Sequence, residues 1–125
     1  MKSSFVCILA TEIVGFNVLK GLENTFGKDA DIRIMRLSER FISDVADERT
    51  EKIFSEIKEK VQNENWNKYD KVFLVCVGSI IANVYAFQQL KSVIKAGKIY
   101  LLVYNGKKDH YIIYDENGRM VYDYL

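Results

Sequence analysis

Lys71–Asn83, KVFLVCVGSIIAN, is the stretch whose reading decides the fold. An unbroken apolar run, Val72 to Val77, meets Gly78-Ser79 and passes directly into a segment of helical character. A continuous apolar run of this length predicts a strand buried on both faces, as in parallel sheets. The glycine leaves the backbone bare, and the helix that follows points its free amides at the same spot, an arrangement that favours an anion. Ser79 also suits the plainer role of helix N-cap.

Downstream, residues 80–96 predict a helix that is apolar almost all round, through Ile81, Val84, Tyr85, Phe87, Leu90 and Ile94. Such a helix lies between layers or under a partner chain, so a homodimer through helix 80–96 is expected. Gly97 ends it, and Ile99–Tyr104 forms another buried strand. After the Asn105-Gly106 turn, His110–Tyr114 and Arg119–Tyr124 read as a hairpin joined by Asp115-Glu116-Asn117-Gly118. Upstream, Phe5–Ala10 is a buried strand, and Val14, Val18, Leu19 and Leu22 recur at helical spacing up to Gly27. Ile32, Ile34 and Leu37 alternate with arginines as a strand near a sheet edge. Residues 38–49 read as either a loop or the start of a helix; from Thr50, Ile53, Phe54, Ile57 and Val61 share one helical face. Trp66 staples the polar stretch that follows to the core.

Strands alternating with helices imply an α/β domain: a Rossmann-like, open, mainly parallel four-stranded sheet with helices on both faces and a C-terminal β-hairpin. With 125 residues, 49% of them hydrophobic, the chain makes one domain over 1–125. Eighteen Lys and Arg against 17 Asp and Glu leave a formal charge of +1, which argues against bulk nucleic-acid binding. One histidine and no Cys-x-x-Cys spacing argue against a metal, and neither a Walker pattern nor G-x-G-x-x-G announces a cofactor. Cys7 and Cys76 read as reduced core residues. The apolar part of MKSSFVCILA is too short for a signal peptide and no run is long enough to span a bilayer, so a cytoplasmic chain away from membranes is expected.

In an open parallel sheet, ligands bind beyond the carboxyl ends of the strands. That nominates Ala10, Thr11 and Glu12 after the first strand, Ser38 and Arg40 after the second, Gly78, Ser79 and Asn83 after the third, and Asn105 and Lys107 after the fourth. Arg33 and Arg36 are further phosphate contacts, weighed against a role in keeping an edge soluble. His110 opens a hairpin strand with no nucleophile attached to it in sequence, and catalytic residues are not identified. Six of the eight tyrosines fall between Tyr100 and Tyr124, where they serve as cross-strand pairs, an interface belt or a surface that stacks a base.

The segment Val77–Phe87, VGSIIANVYAF, resembles the strand-Gly-Thr/Ser-helix step of CARF domains, the cyclic-oligoadenylate sensors of type III CRISPR antiviral defence. Those domains also use the loop after their first strand, here Ala10-Thr11-Glu12; Ile80 stands where they carry lysine, and one βα unit of theirs has no counterpart. The chain also resembles, more weakly, the mannose-type phosphotransferase IIA fold, through Gly78, Ser79 and Asn83. Ala10-Thr11-Glu12 replaces its phosphoacceptor histidine. The resemblances imply binding of a nucleotide-type ligand (a cyclic oligoadenylate among them) or another phosphorylated ligand at the carboxyl end of the sheet. Metal-independent cleavage would be driven by the ligand's own 2′-hydroxyl, with Ser79 and Thr11 orienting it. The alternatives are a non-enzymatic interaction domain and a degenerate phosphotransferase-like regulator.

Overall fold

The computed structural model describes residues 4–41 and 49–121. They form a five-stranded, mostly parallel sheet with three α-helices. In chain order the elements are β1 (Phe5–Leu9), α1 (Val18–Phe26), β2 (Ile34–Arg36), α2 (Arg49–Asn63), a 3-10 turn at Trp66–Lys68, β3 (Lys71–Val75), α3 (Ile80–Val93), β4 (Ile99–Asn105) and β5 (His110–Asp115). The sheet order is β2-β1-β3-β4-β5; β2, β1, β3 and β4 are parallel, and β5 returns antiparallel to β4.

Alternation along the strands sorts the core into two layers. Val6, Ile8, Val72, Leu74 and Ile99 face α2 and α3, meeting Ile53, Ile57, Ala86 and Leu90. Cys7, Leu9, Phe73, Val75 and Leu102 face the opposite way, toward Val18 and Leu22 of α1. Helices therefore lie on both faces. The α1 layer is aromatic: Phe26 sits 5.0 Å from both Phe5 and Phe73, ring centre to ring centre. Gly21 lets α1 come down onto Tyr111, since a β-carbon there would stand 2.7 Å from Tyr111 Cε2. Trp66 is buried in the α2–α3 layer with Nε1 donating to Val61 O at 2.8 Å, the staple expected of it.

Four expectations change. The sheet has five strands, because the antiparallel hairpin is β4–β5 through the Asn105–Asp109 turn and its second arm joins the sheet. The arm expected at 119–124 contributes one isolated bridge, Met120 to Tyr114, and residues 122–125 lie outside the described residues. Helix α1 begins at Val18: Gly15 adopts φ +78°, and the Asn17 side chain caps the helix by accepting from Lys20 N at 3.1 Å. Val14, at helical spacing from Val18, is left 70% exposed in the loop. Helix α3 stops at Val93, and its residues Ile80, Ile81 and Val84 are 78%, 63% and 51% exposed. Residues 38–41 are irregular, and 42–48, the rest of the ambiguous stretch, lie outside the described residues. Cys7 and Cys76 are free thiols pointing into opposite layers.

Candidate functional site

The sheet changes winding direction between β1 and β3, which pair in parallel with Cys7 beside Phe73 and Ile8 beside Leu74. Their following loops are neighbours, the crevice where open α/β sheets take ligands. Gly78 adopts φ +79°, and a β-carbon there would stand 2.7 Å from Ile13 Cδ1 of the β1 loop. The space above the glycine thus belongs to an isoleucine. Ser79 caps α3, its Oγ accepting from Ala82 N at 3.2 Å, and keeps its own proton to donate. Asn83, one turn into α3, donates from Nδ2 to Val77 O and Ser79 O, both at 2.8 Å. It straps the loop to the helix.

That strap leaves Asn83 Oδ1 buried and without a partner among the described residues. Asn83 lines a groove of about 480 Å³ that opens at Gly78 and Ile80 and runs along α3 to Lys91. Its walls are Leu74, Cys76 and Leu101 from the sheet and Val84, Phe87 and Gln88 from the helix. That volume lies in the range of small-ligand sites. The polar side chains on it are few: Asn83, Gln88 and Lys91, whose ammonium stands 5.4 Å from the Phe87 ring centre. Among the described residues no carboxylate or imidazole lines the groove. Burial pushes the Cys76 thiol up from its ordinary range, partly opposed by the backbone hydrogen bond at Leu102, so it is a poor nucleophile near neutral pH.

Of the ten residues nominated by sequence, the structure brings Gly78 and Asn83 to the groove, with Ser79 between them in the loop. Ala10, Thr11, Glu12, Ser38 and Arg40 form a separate structural clasp. Ala10 and Thr11 are buried, Ser38 N donates to Ala10 O at 3.1 Å, and Arg40 N donates to Ser38 Oγ at 3.2 Å. Its charges are paired: Glu12 with Arg36 at 3.1 Å and Arg40 with Glu56 at 2.5 Å. Thr11 is buried and its hydroxyl donates to Glu12 O at 3.4 Å. Asn105 shapes the β4–β5 turn by accepting from Lys107 N at 3.1 Å. It lines a second cavity of about 520 Å³, beside His110 and Tyr111 at the outer side of β5. Among the described residues no cluster of three or more His, Cys, Asp or Glu could hold a metal ion, and no helix is long and apolar enough to cross a membrane.

Cys76, Val84, Phe87, Gln88, Lys91 and Leu101 were not nominated by the sequence. A signal existed on α3, where 80, 84, 87, 88 and 91 share one stripe at helical spacing. No known protein-family model, curated protein or solved structure matches the chain.

Proposed function

We propose that this is a Rossmann-like ligand-binding domain that takes a nucleotide-type molecule in the α3–β4 groove at the carboxyl end of β3. The observation that supports it is the groove itself: about 480 Å³, largely apolar walls, and a mouth at Gly78 and Ile80 beyond the end of β3. Phe87 offers a face on which a base can stack, and Lys91 offers the only positive charge on the lining among the described residues. Among the described residues the lining supplies no acid–base pair, and the activity proposed is binding.

Thermal shift tests this directly, with mononucleotides, cyclic oligoadenylates and phosphosugars as separate arms. A true ligand raises the melting temperature and slows reaction of Cys76 with a thiol reagent, because the cysteine forms one wall of the groove. No shift with any arm, together with unprotected Cys76, would reject the proposal.

A second reading, self-association through α3, is favoured by the exposure of Ile80, Ile81 and Val84 on one side of the helix. Sedimentation of the wild type against Ile81→Asp separates the two. A dimer dissolved by the substitution supports association, and a monomer in both cases removes it.

A further inference from the structure

The chain contains two Asn-Gly steps: Asn105-Gly106, where β4 turns toward β5, and Asn117-Gly118, in the turn beyond β5. Asparagine is among the chemically labile residues, and a following glycine, having no β-carbon, lets its amide nitrogen approach the asparagine side chain. We propose that Asn105 is a site of spontaneous covalent modification: the turn around it drives its conversion to aspartate and isoaspartate, while Asn117 is protected.

The reaction asks two things of the backbone. Gly106 N must be free to attack Asn105 Cγ, and the oxygen that becomes negative in the tetrahedral intermediate needs a donor. Gly106 is exposed, and its N–H has no acceptor among the described residues. Asn105 Oδ1 already accepts from Lys107 N at 3.1 Å. That amide therefore stands where the negative charge develops, at the separation an oxyanion-hole donor keeps. As the N–Cγ bond forms, the Cγ–Nδ2 bond breaks and ammonia leaves with the proton of Gly106 N. A succinimide ring then joins the two residues. Water opens it at Cγ to give aspartate, or at the main-chain carbonyl to give isoaspartate.

Both features are reversed at Asn117. Gly118 N is occupied, donating to Asp115 O at 3.0 Å, and no donor meets the Asn117 side chain among the described residues. Asp115 Oδ1 fixes the turn further by accepting from Asn117 N and Arg119 N at 2.9 Å each. Asn117 is exposed and Asn105 half-buried, so exposure alone would give the opposite order. The products matter to the fold. Isoaspartate lengthens the main chain at the last residue of β4, opposite His110, and aspartate puts a carboxylate into the cavity wall shared with Lys108 and His110.

Trypsin separates the two steps, because cleavage after Lys98, Lys107, Lys108 and Arg119 leaves Asn105 in peptide 99–107 and Asn117 in peptide 109–119. The full chain is held folded at mildly alkaline pH and its peptides are mapped by mass against time. Asn105 is expected to be lost several-fold faster than Asn117, with isoaspartate among the products; in concentrated urea the two rates should converge. Equal rates in the folded chain, or a faster Asn117, overturn the proposal. A ratio unchanged by urea assigns the difference to flanking sequence and overturns the role of the turn. Gly106→Ala is compatible with the fold, since its β-carbon would meet Tyr104 Cε1 at 3.7 Å, an ordinary contact. It should slow the loss of Asn105 several-fold and leave Asn117 unchanged. Undiminished loss in that variant, or aspartate without isoaspartate, means direct hydrolysis by water and overturns attack by Gly106 N.

Discussion

Tyr111→Phe should make the protein more stable. Tyr111 is 2% exposed and lies in the α1 layer, with its ring against Gly21 and 5.6 Å from Tyr104, centre to centre. Its hydroxyl has no hydrogen-bond partner among the described residues. Burying a hydroxyl in that state costs about 1–3 kcal/mol, and removing the oxygen gives back part of that in lost packing around a small void. The net expectation is a gain of about 1 kcal/mol. At about 2.1 cal/mol/K per residue over 125 residues, that raises the melting temperature by about 4 °C. A second signature comes with pH. Burial, with lesser contributions from Tyr104, Cys7 and Asp109, pushes the Tyr111 phenol up to about 12, above its ordinary value near 10. The folded chain therefore holds this proton after the unfolded chain has released it. Stability from this source is fully present below the unfolded value and is lost as pH rises through about 12. The advantage of the phenylalanine variant should thus widen between about pH 10 and 12. Urea unfolding of both proteins at pH 7, followed by melting scans at alkaline pH, measures both effects. A variant less stable than the wild type at pH 7 would show that the hydroxyl makes a stabilising bond, and the reasoning would be refuted.

Gly78→Ala should cost about 1–2 kcal/mol, because φ +79° is strained for any residue with a β-carbon; the Ile13 contact adds less, since a flexible side-chain end can move. An unchanged urea midpoint would mean the loop relaxes to an ordinary conformation. The Asp109 carboxyl is held below the usual range by the Tyr104 hydroxyl at 2.5 Å and by Lys20 at 3.4 Å. Stability from it is present above the unfolded value and lost as pH falls through the depressed folded one. Asp109→Asn, which also tolerates φ +51°, should flatten the acid limb of the stability–pH curve; a superimposable limb would exclude Asp109 as its source. Cys76 should react with a thiol reagent in the folded protein and Cys7, fully buried in the α1 layer, only on unfolding. Two equally fast thiols would contradict the burial of Cys7.

The central strands were legible because burial on both faces leaves a continuous apolar run, and β1 and β3 occupy the runs read from sequence. The edge position of β2 followed from its arginines. The β4–β5 pairing was harder to read, because the local turn signal at Asp115–Gly118 competes with the Asn105-Gly106 turn. Which turn closes the ladder is settled by β4, already in the sheet, and by Thr25 Oγ1 of α1, which accepts from Tyr111 N at 2.7 Å. Val14 misled for a related reason: its spacing is helical, but Gly15 breaks the chain direction before Asn17 caps the helix. At the site, Gly78 and Ser79 announced a strand-to-helix turn and proved to be one. The groove beside it depends on which faces of α3 and β4 come together. Phe87 and Lys91 could be placed on one helical stripe, but Leu101 opposite them is a tertiary fact. The arginines of the β1 and β2 loops looked free for phosphate in sequence; their pairing with Glu12 and Glu56 depends on the tertiary fold and could not be read there.

The central claim is that the α3–β4 groove binds a nucleotide. The most direct test is a nuclear magnetic resonance titration of the isotope-labelled chain with AMP. Shift changes should concentrate at Gly78, Ile80, Asn83, Val84, Phe87, Lys91 and Leu101, with the Asn83 side-chain amide among them. A spectrum that stays unchanged at millimolar nucleotide, or changes confined to the Asn105–Tyr111 side of the sheet, would contradict it.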